Sequence, residues 1–425
     1  MAENEADNAA IDIEGLVSSI EARMYQDRFM SPKCCIFKTP TVLLELNEKA
    51  YAPVTFSIGP FHHGHPKFKE TEKIKSTYLQ GLISRSPSPG EMLRNLVNSI
   101  TDVQTEAREC YAGPIVYSPD EFVRMLVIDG CFIIELLLKE VFTELREDND
   151  PIFSVACVRQ FIANDLTLLE NQVPWIVLER LSNLNLTVHL TGNNANDALI
   201  ELVKDFVSTH LGIELPSDHP PSQEIKHILD LIRKLLVSSI GAREGQTDWT
   251  PLPSATSLVE AGVKIRRGES KSFLDIRFDN GVLEIPQLVF EERTESFFRN
   301  IISFEQCYPN CEPRFTCYAM LIDNLINTVK DVDILCENKI VKNWLNPEDA
   351  VPFFNKLYYN AYVTEVYYHS LCKKVNEYYN RRWPRWRAML VRNYFNTPWA
   401  ILSTVAAAIL LILSFLQTWY AIYKK

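Results

Sequence analysis

Between Val123 and Leu138 apolar side chains recur every three or four positions: Val123, Leu126, Val127, Ile133, Ile134, Leu137 and Leu138, with Gly130 in the same stripe. That period predicts a helix lying against a core. Ser118-Pro119-Asp120-Glu121, just before it, offers an N-cap, a first-turn proline and a capping-box glutamate. Ser88-Pro89-Gly90-Glu91 repeats the start signal ahead of Met92–Cys110, and Asn346-Pro347-Glu348-Asp349 is a third. Helical spacing also predicts Ile11–Arg28, Pro66–Ser84, Ile152–Leu169, Pro174–Leu181, Asp197–His210, Gln223–Ser238, Ala255–Ala261, Thr294–Cys307 and Phe315–Val329. A period of two occurs over Ser272–Phe278, where Leu274, Ile276 and Phe278 share one face and Asp275 and Arg277 the other. Asp279-Asn280-Gly281 then supplies a turn and Val282–Ile285 returns, the signature of a β-hairpin. Val263–Arg266 and Val54–Ile58 are expected to extend that sheet. Pro286 fits only at the strand's end.

The pattern changes at Pro398. From there to Tyr423 the chain runs 26 residues without a charge, longer than the roughly 20 that a bilayer-spanning helix needs. Aromatic residues gather at both ends, with Trp399 before and Trp419, Tyr420 and Tyr423 after, where interfacial rings belong. Arg385, Arg387 and Arg392 precede the helix, together with Arg381 and Arg382; only Lys424 and Lys425 follow. The excess of Lys/Arg upstream orients the body toward the cytosol and gives a tail-anchored, single-pass protein. The fold class expected is therefore mainly α with a small antiparallel sheet, plus one C-terminal transmembrane helix.

Composition adds bounds. The 425 residues are 47% hydrophobic and 23% charged, ordinary globular values. From Ser370 onward nine Lys/Arg face one acid; with −11 overall, residues 1–369 carry −19. So acidic a body argues against nucleic acid as a partner, and the basic stretch lies where anionic lipid headgroups would be. The first 22 residues hold no Lys or Arg but include Glu3, Glu5, Asp7, Asp12, Glu14 and Glu21, unlike a secretory or transit signal. The ten cysteines are then expected as free thiols. Asn185-Leu186-Thr187 is a glycosylation triplet that matters only for a lumenal body. The expected organisation is an acidic segment and first helix over 1–30, a body over 31–392, and the span over 398–423. Polar loops at His210–Pro221 and Gly241–Pro253 allow two lobes meeting near 210–253.

Long segments resemble a known family. Tyr51–Gly64 (YAPVTFSIGPFHHG), Asp129–Leu137 (DGCFIIELL), Asn164–Leu178 (NDLTLLENQVPWIVL), Ser254–Ile265 (SATSLVEAGVKI) and Ser272–Gln306 occur in the order found in the plant DUF247 (UPF0481-like) family. The resemblance runs from about Ile36 to Tyr420. It implies a land-plant source and a single-pass membrane protein. Recognition or signalling, in self-incompatibility and sex determination, is implied for some members, and no reaction is. Lys38-Thr39-Pro40 stands where the family tends to have Arg-Val-Pro, and Phe61 where it often has Tyr.

Catalytic signatures are scarce. There is no Walker loop, HExxH, GxSxG elbow, kinase signature or GxGxxG. His62, His63 and His65 are candidate metal ligands, but adjacent residues of an extended chain point opposite ways, so turn-capping competes with ligation. Cys307, Cys311 and Cys317 have C-x3-C-x5-C spacing and fit buried thiols better than zinc knuckles. For the adjacent Cys34 and Cys35 neither ligation nor pairing is expected. Asp129, Glu135, Asp165, Glu170, Asp275, Glu284, Glu305 and Asp323 lie in apolar runs, where acid–base work competes with hydrogen-bonding roles. Arg381–Arg392 interleaves Arg with Trp383 and Trp386 and suits an interfacial anchor better than nucleic-acid stacking. The expected function is a membrane-anchored interaction or recognition protein without cofactor, whose partners are the bilayer and a further protein. The alternative is a metal-dependent hydrolase using the His62/His63/His65 segment.

Overall fold

A computed structural model describes residues 12–26, 30–185, 194–216, 224–238, 240, 245–247, 249–290, 292–309, 311–343, 346–363, 365–381 and 398–423. Besides the short helical segments Thr41–Leu44 and Gln104–Glu109, the helices in chain order are α1 (Ile13–Gln26), α2 (Lys69–Ser84), α3 (Pro89–Thr101), α4 (Pro119–Val141), α5 (Val158–Asp165), α6 (Trp175–Asn185), α7 (Ala195–Leu211), α8 (Ile228–Ser238) and α9 (Ala255–Glu260). After a central sheet come α10 (Glu292–Cys307), α11 (Arg314–Leu325), α12 (Val329–Glu337), α13 (Pro347–Lys356), α14 (His369–Tyr379) and α15 (Pro398–Tyr423). The fold is mainly helical, as its spacing predicts.

The body is organised by α4. Its capping box forms as expected: Ser118 Oγ accepts the Glu121 amide at 3.3 Å, and Glu121 Oε2 accepts the Ser118 amide at 2.9 Å. From Leu126 to Lys139 the helix is buried on nearly every side, so it lies inside the core rather than on its surface. It packs against α2, α3, α6 and α7. Gly130 is what admits α6, since a Cβ there would sit 2.4 Å from Leu181 Cδ1. One continuous set of buried side chains extends from Cys34 to Val375, joining this bundle to the sheet and to α10–α14.

The sheet is smaller than its alternating pattern suggests, and mixed. β1 (Lys264–Gly268), β2 (Arg277–Asp279) and β3 (Val282–Pro286) lie in the order β1-β3-β2. The Asn280-Gly281 turn forms with both φ values positive, at 46° and 80°, and joins β2 to β3 antiparallel. β1 adds to the far side of β3 in parallel. The hairpin's first arm is short because Phe273 and Asp275 are buried along with Leu274 and Ile276, breaking the inside–outside alternation. A second pair, β4 (Leu288–Phe290) with β5 (Val341–Asn343), is parallel and joins segments far apart in sequence.

Several helix expectations change. Met92–Cys110 is interrupted between Thr101 and Gln104, Ile152–Leu169 shortens to α5, and Gln223–Ser238 begins at Ile228. Phe315–Val329 ends at Leu325; α12 then restarts from a Thr328–Asp331 capping box. Ser88 and Asn346 precede helices without making a side-chain cap bond. Val54–Ile58 is not a strand, for a reason that belongs to the site.

α15 is 26 residues long; its stretch Ile401–Tyr420 has mean hydropathy 2.1 and none of it is covered by the body. It is long and apolar enough to cross a membrane. Trp419 stacks on Tyr423 at 4.5 Å. The Trp399 side chain and Arg385, Arg387 and Arg392 lie outside the described residues.

Candidate functional site

Three of the resemblance-bearing segments, Tyr51–Gly64, Asp129–Leu137 and Asn164–Leu178, meet in one place. Val54–Gly59 is an extended strap whose backbone is held by side chains instead of a neighbouring strand. Asp165, at the last turn of α5, accepts the amides of Val54 (2.8 Å), Thr55 (2.7 Å) and Phe56 (2.9 Å) and the Thr55 hydroxyl (2.6 Å). Asn171 Oδ1 accepts the Ile58 amide at 2.7 Å, while its Nδ2 donates to Phe56 O and Asp165 O. Asp129, on α4, accepts the Gly59 amide at 2.8 Å. With its amides occupied in this way, the strap has no ladder to offer, which is why its strand-like sequence forms no strand. Gly59 has φ of +72°, and a Cβ there would meet Gln172 O at 2.4 Å. Only glycine fits.

Beneath the strap lies a buried cation. Lys75 of α2 is fully buried and donates to Ser57 O at 2.8 Å, with Asp129 and Glu72 as ion-pair partners. Burial opposes its charge, but Asp129 and Glu72 outweigh that and hold its pKa above the ordinary value. It is a protonated clamp, not a nucleophilic amine. Burial pushes Asp129 up against the pull of Lys75, and pushes Asp165 up despite four hydrogen bonds. Both carboxylates are enclosed and fully committed to partners.

The strap continues into the three histidines, which diverge. His62 Nε2 lies 3.6 Å from Glu170 Oε2, beyond hydrogen-bond distance, and burial pulls its pKa down to about 4 with help from His65 and Lys38. His63 meets the Tyr117 ring edge-on at 5.4 Å. His65 Nδ1 accepts the Lys67 amide and caps the turn at Pro66–Phe68. Among the described residues no three His, Cys, Asp or Glu side chains gather as a metal site would need. Glu170 instead accepts the Thr39 amide at 2.8 Å. Lys38 Nζ sits 5.3 Å from the Phe61 ring centroid.

The remaining acids act separately. Glu135 pairs with Arg85, and Asp275 with Arg277, two residues on. Glu284 pairs with Arg266 across β3 and β1. Asp323 accepts the Tyr358 hydroxyl. Glu305 of α10 accepts the Phe315 and Thr316 amides, the Thr316 hydroxyl and Arg233 Nε, fixing the start of α11. Cys317 is buried, and burial pushes it, like Cys311, up to about 12. Cys307 rises to about 11 for the same reason. Sequence reasoning marked these acids but missed their polar companions Lys75, Asn171 and Asn300. Asn300 Oδ1 accepts the Leu169 amide, and its Nδ2 donates to Ala50 O. An Asn inside the apolar face of α10 was the available signal. A cleft of about 490 Å³ lined by Ile213, Arg267, Lys271, Phe273 and Phe298 shares no residue with the strap.

Among known proteins, this chain is 31% identical to the UPF0481 protein At3g47200 of Arabidopsis thaliana, over 92% of this chain and 86% of that one. At3g02645, another Arabidopsis thaliana protein carrying the UPF0481 name, is 21% identical over 96% of this chain and 94% of its own length. No solved structure matches. Residues 36–413 match DUF247, described as a plant protein of unknown function, and the chain belongs to that family.

Proposed function

We propose that the chain is a non-enzymatic, membrane-tethered interaction protein whose body faces the cytosol. The use made of the motif side chains carries this reading. Lys75, Asp129, Asp165, Glu170 and Asn171 bind backbone or one another, so the segments that look most chemical form a frame. The interaction surface proposed is α1. Asp12 to Glu21 are exposed throughout, and Ile13, Leu16, Val17 and Ile20 form one uncovered apolar stripe. Acids surround that stripe, and no Lys or Arg occurs before Arg23. Its partner is then a protein with an apolar groove rimmed by Lys or Arg, which takes α1 as an amphipathic helix. The same charge opposes docking on an anionic lipid surface.

The anchor is α15, and the Lys/Arg excess before it favours a cytosolic body. Asn185 does not argue otherwise. It is buried and its Nδ2 donates to Leu181 O at 2.7 Å, so a glycan there is incompatible with this fold. A photo-crosslinker placed at Val17 of the full-length protein in plant membranes tests the partner. The expected adduct joins one protein through a groove peptide flanked by Lys or Arg, and is lost in Ile20→Asp and weakened in Glu14→Lys. Adducts only to lipid, to a second copy or to the chain's own body would overturn it. Protease digestion of an N-terminal tag in sealed microsomes tests sidedness: loss of the tag supports the cytosolic body, and protection refutes it.

A further inference from the structure

Cys35 and Cys110 are far apart in sequence but adjacent in space. Ile36 and Tyr111 form a parallel β-bridge, and the Cys35 and Ile36 amides both donate to Cys110 O, at 2.8 and 2.9 Å. The Ala112 amide donates to Ile36 O at 2.8 Å, completing the bridge. Cys35 and Cys110 each stand one residue before the bridged pair; Cys110 is the helical C-cap of Gln104–Glu109, and the direct bond from the Cys35 amide to its carbonyl brings the two backbones together. Backbones joined by a direct amide–carbonyl bond suit the Cα separation a disulfide spans, roughly 4.4–6.8 Å. Cys110 Sγ donates to Glu106 O at 3.4 Å, within its own helical segment. Among the described residues the other isolated bridge, Gln246 with Val366, adjoins no cysteine in sequence; Cys157 is exposed, and no bridge joins Cys34 to Cys110.

We propose that Cys35 and Cys110 are a redox-sensitive pair that closes to a disulfide, stapling the segment leading into Thr39 to the end of the helical turn Gln104–Glu109. The two thiols differ usefully. The neighbouring Cys35 thiol lowers the Cys110 pKa, with Lys226 and Lys33 and against burial and Glu106, while the Cys110 thiol and burial raise Cys35. Cys110 is also the more open, at 9% exposure against 1%. Cys110 is therefore the attacking thiolate and Cys35 the resolving thiol. The oxidant is a small soluble disulfide such as glutathione disulfide. The Cys110 thiolate attacks one of its sulfurs and expels a thiolate. That thiolate takes the Cys35 proton, and Cys35 then attacks Cys110 Sγ and expels the second thiolate. Two protein thiols become one disulfide, two electrons pass to the oxidant, and two small thiols leave. In a reducing cytosol the pair rests open and closes on oxidative shift.

The test uses the full-length protein in lipid nanodiscs, incubated with glutathione disulfide, alkylated and digested without reductant. The expected product is a Cys35–Cys110 linked peptide, with Cys34 and Cys35 resolved by fragmentation, and a raised thermal midpoint in the wild type. Cys110→Ser keeps its midpoint unchanged on oxidation. Cys35 and Cys110 both alkylated when Cys157 is fully oxidised, or Cys110 linked to Cys34, would overturn the proposal; neither result requires a variant to fold. A pair already closed when isolated from membranes under alkylation supports the pair while counting against the cytosolic placement, so the two readings fail separately.

Discussion

Asp165 and Glu305 are two buried carboxylates set to the same task with different means. Each gathers amides and a threonine hydroxyl from one short segment: Val54–Phe56 for Asp165, Phe315–Thr316 for Glu305. Glu305 also has Arg233 at 3.2 Å, whereas Asp165 holds a third amide where Glu305 has its cation. A buried carboxylate thus needs saturation of its lone pairs more than it needs a counter-charge. Asp165 is the stricter case, because every stabilising contact comes from the strap it fixes. Lose the strap, and an unpaired charge remains in the core.

The largest effect is expected at Asp165. Replacing it with Ala strands three amides and a hydroxyl, for a loss of about 5 kcal/mol, read by chemical denaturation of the detergent-solubilised chain. A loss near 1 kcal/mol would mean the strap finds water and is not held by this acid. Arg233→Met should cost about 3 kcal/mol at neutral pH, because it leaves Glu305 charged with neutral donors only. Burial already raises the Glu305 pKa, against the pull of Arg233. A raised carboxylate pKa favours the fold below the unfolded pKa, and that advantage is lost as pH rises through the folded one. The Arg233→Met deficit should therefore shrink as pH falls from 7 toward the ordinary carboxylate range, while the Asp165→Ala deficit, with no carboxylate left, should not. A deficit growing toward acid would mean the lost term is not the Glu305 charge. Gly59→Ala tests the strap without touching charge: a positive φ and a backbone oxygen at 2.4 Å from the new Cβ predict about 2 kcal/mol.

These hubs were half legible. Both acids stand out in sequence as carboxylates among apolar residues, which marks them as buried, but the amides that need Asp165 lie some 110 positions earlier. No local period reports such a pairing. The same remoteness hides why VTFSI is not a strand, and why β4 finds β5. Local chemistry read better. The Ser118 box and the Asn280-Gly281 turn depend only on neighbours within three residues, and both formed. The α12 start escaped because its box ends in Asp331 rather than Glu or Gln. The histidine run looked like a ligand set because sequence shows spacing, not direction; in space His62, His63 and His65 take Glu170, Tyr117 and Lys67 as separate neighbours.

The finest test of the comparison removes one hydroxyl from each hub. Thr55 Oγ1 reaches Asp165 at 2.6 Å and Thr316 Oγ1 reaches Glu305 at 2.8 Å, so Thr55→Val and Thr316→Val delete matched bonds to matched charges. Were saturation alone decisive, the two would cost the same. Arg233 breaks the symmetry, because its charge still stabilises Glu305 when the hydroxyl is gone, and Asp165 has no such reserve. Thr55→Val should then cost about 2 kcal/mol and Thr316→Val about 1 kcal/mol, within the range for hydrogen bonds to ionised acceptors. In an Arg233→Met background the Thr316→Val cost should rise toward that of Thr55→Val, a coupling that a double-mutant cycle isolates. Equal costs in the wild-type background would show that the cation contributes little to Glu305, and that the two hubs work alike.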